Sequence, residues 1–159
     1  MVAFLCLAPA NGQAGQASQA TCHSQKGCAA SLPALRETGY AHVEINLTRQ
    51  RMFIVDDSGH VVKTVPVSSG SGKWFTSEGR RRRAITPTGE FTVYRKISGW
   101  HKSPLGMLYY PNYINEGVAI HGSPSVPPRP ASHGCIRIPI AAAKAFSEMT
   151  PIGTVVLVY

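Results

Sequence analysis

Acidic side chains are scarce in this chain. Eight Asp and Glu stand against sixteen Lys and Arg, a formal net charge of +8 at pH 7 over 159 residues. Four of the basic residues form the run Arg80-Arg81-Arg82-Arg83, set between Gly-rich and Thr-Pro turns. Such a run reads as a solvated loop, or as an attraction for an anionic polymer that weakens as salt rises. Nucleic acid would draw on the same charge, but the sequence has neither a recognition motif nor a base-stacking aromatic array, which excludes it as a partner. Also missing are an apolar stretch long enough to form a transmembrane segment and any internal repeat. What remains is a chain of one-core length. Its 43% hydrophobic residues, 15 Gly and 12 Pro favour a strand-rich fold with many turns over a helical bundle.

Cysteine is limited to Cys6, Cys22, Cys28 and Cys135. Residues 1–10 hold a short apolar run ending Ala8-Pro9-Ala10, without a basic segment before it, and read as a truncated signal peptide. Residues 11–40 read as a flexible linker, because Asn11 to Ala20 is almost wholly Gln, Ala, Gly, Ser and Asn, too polar to fold. Within it, Cys22 and Cys28 could close a small disulfide loop, durable only outside the cytoplasm. With His23 they could alternatively begin a zinc site, and the disulfide is preferred. Cys135 is then the odd thiol. In an exported protein a free thiol demands a reason, and catalysis supplies one.

From Val43 onward the pattern is mostly period two. Val43, Ile45 and Leu47 alternate with polar residues, Met52 to Val55 follows, Asp56-Asp57-Ser58-Gly59 reads as a hairpin turn, and Val61 to Val67 returns. Phe91 to Ile97, Met107 to Ile114, Val118 to Ile120 and the β-branched Val155 to Tyr159 extend this into an antiparallel meander. One helix is expected: Pro139 suits a first helical position, Ala141 to Met149 is rich in helix formers, and Pro151 with Gly153 ends the run. Ile140, Ala143, Phe146 and Ser147 should bury its inner face. The fold class is therefore mainly β, a compact β-sandwich with one short packed helix.

Near the end stand Ile120-His121-Gly122-Ser123 and, after a proline-rich interval, Ser132-His133-Gly134-Cys135-Ile136-Arg137. A thiol at its free pKa of about 8.5 is little ionised at neutral pH, so a nucleophilic cysteine needs an imidazole beside it. His121 leaves a buried strand, and Gly122 after it gives a substrate room to approach. It is assigned as the base. His133 lies two residues before Cys135, on the same face of an extended segment but poorly aligned for proton transfer. It is assigned as a substrate or oxyanion neighbour. Gly134 would let the backbone turn and aim the Gly134 and Cys135 N–H groups at a developing oxyanion. Glu148 is the only carboxylate after His121, so the group orienting the imidazole is expected to be a backbone carbonyl such as that of Gly122. An imidazolium close by should draw the thiol below its free value. Lys73-Trp74-Phe75 and Trp100-His101 read as loop aromatics that cap the core or wall a groove. By alternation Tyr109 and Tyr113 share a face and Tyr110 takes the other.

His-Gly followed by Ser-His-Gly-Cys and an arginine two residues on resembles the signature of the L,D-transpeptidase catalytic (YkuD) domain. Thr86-Pro87-Thr88-Gly89-Glu90-Phe91 and the run from Tyr109 to His121 are similar to that family as well. The resemblance extends over residues 41–159. It implies that Cys135 attacks the carbonyl of the diaminoacyl residue in a peptidoglycan stem, expelling terminal D-alanine, and that a neighbouring stem amine resolves the thioester. It also implies acylation by carbapenems, no cofactor and no metal, a monomer, and action in the periplasm or cell wall of a bacterium. Ser132, Gly122, Arg137 and Tyr110 join the substrate side of the site by the same resemblance, with Arg137 standing where some members carry asparagine. Partners are stem peptides and, through the arginine run, anionic envelope polymers. Two alternatives use the same residues. One is an L,D-carboxypeptidase releasing D-alanine to water. The other is a non-catalytic zinc- or wall-binding module in which His121, His133 and Cys135 serve as ligands.

Overall fold

The computed structural model describes residues 40–159. The expected signal peptide, linker and Cys22–Cys28 disulfide lie outside the described residues. A five-stranded sheet runs in the order β3 (Val61–Pro66), β2 (Arg51–Asp56), β1 (Tyr40–Asn46), β12 (Val155–Val158), β6 (Gly89–Thr92). A second runs β11 (Ile136–Pro139), β10 (Val118–Ser123), β9 (Gly106–Asn115), β7 (Arg95–Lys96), with β8 (Trp100–Ser103) also paired to β9. A separate ribbon pairs β4 (Trp74–Ser77) with β5 (Arg80–Arg83). The single helix among the described residues, α1 (Ile140–Met149), packs on β9, β10 and β11.

Period-two burial builds the core. Val43 and Ile45 from β1, Met52 and Ile54 from β2, and Val156 and Val158 from β12 meet Ile120, Ile136 and Ile138 of the second sheet and Ala143 and Phe146 of the helix in one buried cluster. The hairpin turn after β2 forms as expected, with Gly59 N–H on Asp56 O and Asp56 Oδ1 accepting from Ser58 and His60 N–H.

The meander is corrected in three places. β1 pairs with β12 and β10 with β11 in parallel, because the chain returns to each partner only after a long excursion. The span Phe91 to Ile97 is not one strand: β6 and β7 belong to different sheets, and Val93 between them is buried in the shared core. The arginine run is no loop but β5, fully exposed and turned back on β4 through Glu78-Gly79, with φ of +50° and +72°. That is the turn geometry whose twist matches a hairpin. Pro139 closes β11 and sits at the helix N-cap, with Ile140 the first helical residue. Ala143, Phe146 and Ser147 are buried as expected, while Ile140 is only half-buried.

Candidate active site

The second sheet has one face in the core and the other in a cavity of about 920 Å³. Because Ile120, Ile136 and Ile138 point into the core, their strand neighbours His121 and Arg137 must point the opposite way, and Cys135 lies in the bend that leads into β11. All three line the cavity. The parallel register sets His121 opposite Arg137, so this pair of strands and the bend before β11 bring imidazole, cation and thiol to one surface.

His121 is buried, and its Nδ1 lies 2.9 Å from Gly122 O. A carbonyl only accepts, so Nδ1 carries the hydrogen and Nε2 is left with its lone pair. This is the orienting contact expected from the scarcity of carboxylates. Burial holds the imidazole below its usual pKa; the Gly122 carbonyl opposes this and the Arg137 charge adds to it. Burial also pushes the Cys135 thiol up, against the smaller downward pull of the Ala119 backbone hydrogen bond and of Arg137. The expected depression of the thiol is therefore corrected. Both shifts favour the neutral forms, and Cys135 Sγ donates to Gly117 O at 3.6 Å.

Ser132, His133 and Gly134 do not continue a strand. Ser132 makes a lone bridge to Gly70, and His133, Gly134 and Cys135 bend, with Gly134 at φ +134°, a region open to glycine and closed to most side chains. The Gly134 N–H donates to Ser132 Oγ at 3.0 Å, and the Ser132 hydroxyl donates to Cys135 O. The Gly134 N–H is thus already engaged, which leaves the Cys135 N–H as the candidate oxyanion donor. His133 is exposed, reaches the cavity rim and packs on Phe75 with ring centroids 4.8 Å apart. It does not share an extended face with Cys135.

Gly122 has a different use from the one expected. A Cβ there would stand 2.8 Å from Ala143 Cβ and 3.1 Å from Tyr109 Cβ. Its missing side chain admits the helix, not the substrate. Gly122→Ala should cost about 1–3 kcal/mol by overpacking, read as a lowered Tm. An unchanged Tm with lost activity would instead restore the substrate-access role.

Tyr110 does not line the cavity; it packs against the main core. Its φ of +47° and the register shift between Ile120 and Gly122 interrupt the alternation of β9. Tyr109 and Tyr113 consequently part, Tyr109 toward the core and Tyr113 into the cavity with Leu108. Tyr113 carries Arg95 over its ring at 3.9 Å. Trp100 and His101 do wall the cavity, as one of their two readings had it. Sequence reasoning missed the β8–β9 hairpin around Leu105 and Met107, and the tip of the arginine ribbon, where Glu78 and Arg82 face the cavity. Among the described residues no three His, Cys, Asp or Glu side chains gather as a metal site, so His121, His133 and Cys135 do not make the ligand set of the zinc alternative.

The L,D-transpeptidase catalytic domain model matches residues 40–158. The solved L,D-transpeptidase of Xylanimonas cellulosilytica is 45% identical with a TM-score of 0.72, over 76% of this chain and 60% of that one. That of Stackebrandtia nassauensis is 25% identical with a TM-score of 0.61, over 74% and 54%. That of Mycobacterium smegmatis shares the fold at 21% identity and a TM-score of 0.61, over 76% and 59%. This chain therefore spans well under two thirds of the length of those structures. No curated protein matches. With the family model covering all but the last of the described residues, the chain belongs to the L,D-transpeptidase catalytic domain (YkuD) family.

Proposed function

We propose that the protein is a peptidoglycan L,D-transpeptidase of the bacterial envelope that works through a Cys135 thioester. The observation that carries this is the shared face of β10 and β11, where a thiol, an imidazole with a free Nε2 and a guanidinium meet one cavity. In the first half-reaction Cys135 Sγ bonds to the stem carbonyl while its proton passes to His121 Nε2. The Cys135 N–H receives the oxyanion. Collapse breaks the C–N bond to D-alanine, and His121 returns the proton to that amine. In the second half-reaction an acceptor amine attacks the thioester, gives its proton to His121, and the sulfur leaves as a thiol once it takes that proton back. Apo contacts of this kind tighten when substrate binds, so the resting Cys135–Gly117 bond does not oppose the assignment.

Incubation with a tetrapeptide stem and a stem amine acceptor, read by mass spectrometry, tests it. A cross-linked product with Cys135 intact and none with Cys135→Ala is expected. Tripeptide and free D-alanine alone would make it a carboxypeptidase, and no product would end the reading.

The ribbon bears on the second partner, an anionic envelope polymer. Alternation gives β5 two faces: Arg82 turns to the cavity, whereas Arg81 and Arg83 flank the exposed Trp74 ring, at 4.7 and 6.0 Å. The outward pair is solvated, so its attraction should decay with salt. Changing Arg81 and Arg83 together to Ser should weaken sedimentation with purified cell wall at low ionic strength, and the gap should close as salt rises. Binding that ignores both salt and the substitution would remove the polymer from the account.

A further inference from the structure

One buried hydroxyl ties the cysteine turn to the rest of the domain. Thr86 Oγ1 accepts the Gly70 N–H at 2.8 Å and donates to Gly134 O at 2.7 Å. Thr86 is itself buried. The segments on either side are fixed to the same turn. Ser132 N–H donates to Ser69 O and Ser71 N–H to Ser132 O, both at 2.9 Å. Gly70 lies so close to the segment before Thr86 that a Cβ would fall 2.4 Å from Ala84 O. At Gly134 a Cβ would fall 3.1 Å from Ile85 O.

The carbonyl that Thr86 grips belongs to the peptide group whose N–H is that of Cys135. A trans peptide is planar, with its C=O and N–H pointing in opposite directions, and no cis bond occurs among the described residues. Fixing Gly134 O therefore fixes where the Cys135 N–H points. The peptide needs such a fixture, because Gly134 at φ +134° has no side chain to limit rotation. The Gly134 N–H on the other side of the residue is held by Ser132 Oγ, so both of its flanking peptides are clamped, one by Ser132 and one by Thr86.

We infer that Thr86 is a positioning residue for oxyanion stabilisation: its hydroxyl sets the plane of the Gly134–Cys135 peptide and so aims the Cys135 N–H at the oxygen of the tetrahedral intermediate. This rests on the thioester mechanism proposed above. It assigns Thr86 no contact with substrate. Loss of an oxyanion donor costs about 100- to 1,000-fold in other acyl-transfer enzymes, and a misaimed donor should cost a part of that, about tenfold or more.

Two reactions of the same sulfur separate positioning from general damage. Alkylation by iodoacetamide develops no oxyanion, whereas acylation by a carbapenem does. Thr86→Val, which keeps the shape and removes the hydroxyl, should leave the alkylation rate of Cys135 within about twofold while carbapenem acylation falls by about tenfold or more. Thr86→Ser should restore acylation. If the valine variant does not fold, Thr86→Ala, whose freed volume admits a water to the Gly70 N–H, supplies the same comparison. Equal losses in both reactions, no loss in either, or a serine variant as slow as the valine one would overturn the inference. A native chain that alkylates but takes no carbapenem would overturn the mechanism beneath it and the inference with it.

Discussion

Intact mass after incubation with a carbapenem should show a single covalent adduct on the native chain and none on Cys135→Ala. The effect is all or nothing, because the substitution removes the sulfur that is proposed to form the acyl bond. The chain carries other cysteines, Cys6, Cys22 and Cys28, so a reagent that reacts with any free sulfur would not by itself identify the site. A β-lactam does: its carbonyl yields to a nucleophile that loses a proton in place and whose product oxyanion finds a donor. Cys135 has an imidazole on the same wall and a backbone N–H fixed beside it. The cavity is large enough for the test to report chemistry rather than access, at about 920 Å³ against ligand sites of roughly 300–1,000 Å³. An adduct that survives the substitution, or a folded, reduced native chain that takes none, would break the assignment of the nucleophile.

What the sequence disclosed of this site follows from the range of the interactions involved. That Cys135 and His121 would meet one cavity was legible because the residue types are few and their chemistry is particular. The Gly122 carbonyl as orienting group followed from the shortage of acids. Strand alternation is equally local, so Val43, Ile45, Met52 and Ile54 went to the core where the pattern put them. The failures are non-local or depend on one backbone torsion. Parallel pairing of β10 with β11 is decided by packing among distant segments, and no short-range pattern encodes it. A single residue in the left-handed region, Tyr110, reverses which tyrosines face the cavity. Gly122 and Gly134 look alike in sequence, yet one is small to admit a helix and the other is free to turn. The arginine run pointed to charge but not to a strand, since four like charges are tolerable in β5 only because all are exposed and one partner, Trp74, offers its ring to two of them.

The environment that carries the chemistry is also what moved the thiol in the unexpected direction. Burial acts on both members of the pair and in each case disfavours the charged form. It lowers His121 and raises Cys135, and both shifts favour thiol and imidazole over thiolate and imidazolium. Arg137 modifies this unequally. Its charge opposes burial at the sulfur and reinforces it at the ring, easing ionisation of Cys135 while keeping His121 a base. On the proposed mechanism the thiolate should form only as substrate arrives.

Replacing His121 by Ala should therefore slow carbapenem acylation by about 100-fold or more at neutral pH, and the size of the loss should depend on pH. In the native chain the reaction requires neutral His121. Because that ring is held below its usual pKa, the acid limb of the rate should lie below the ordinary imidazole value, with a plateau through neutrality. Cys135 needs no prior ionisation there, since the ring takes its proton during attack. Without the ring, only the fraction already ionised reacts. With the thiol pushed up, that fraction is small and grows about tenfold per pH unit until its raised pKa is reached. The variant should climb steadily on the alkaline side while the native chain stays flat, so the gap narrows as pH rises. His133→Ala, on the exposed rim against Phe75, should keep most of the rate and the native profile. A pre-formed ion pair would look different: the native acid limb would then report the thiol, and alkylation of Cys135 would proceed at full rate well below the ordinary thiol range. Stopped-flow acylation across pH for the native chain and both histidine variants decides between the two, and equal losses at His121 and His133 would reverse the assignment of the base.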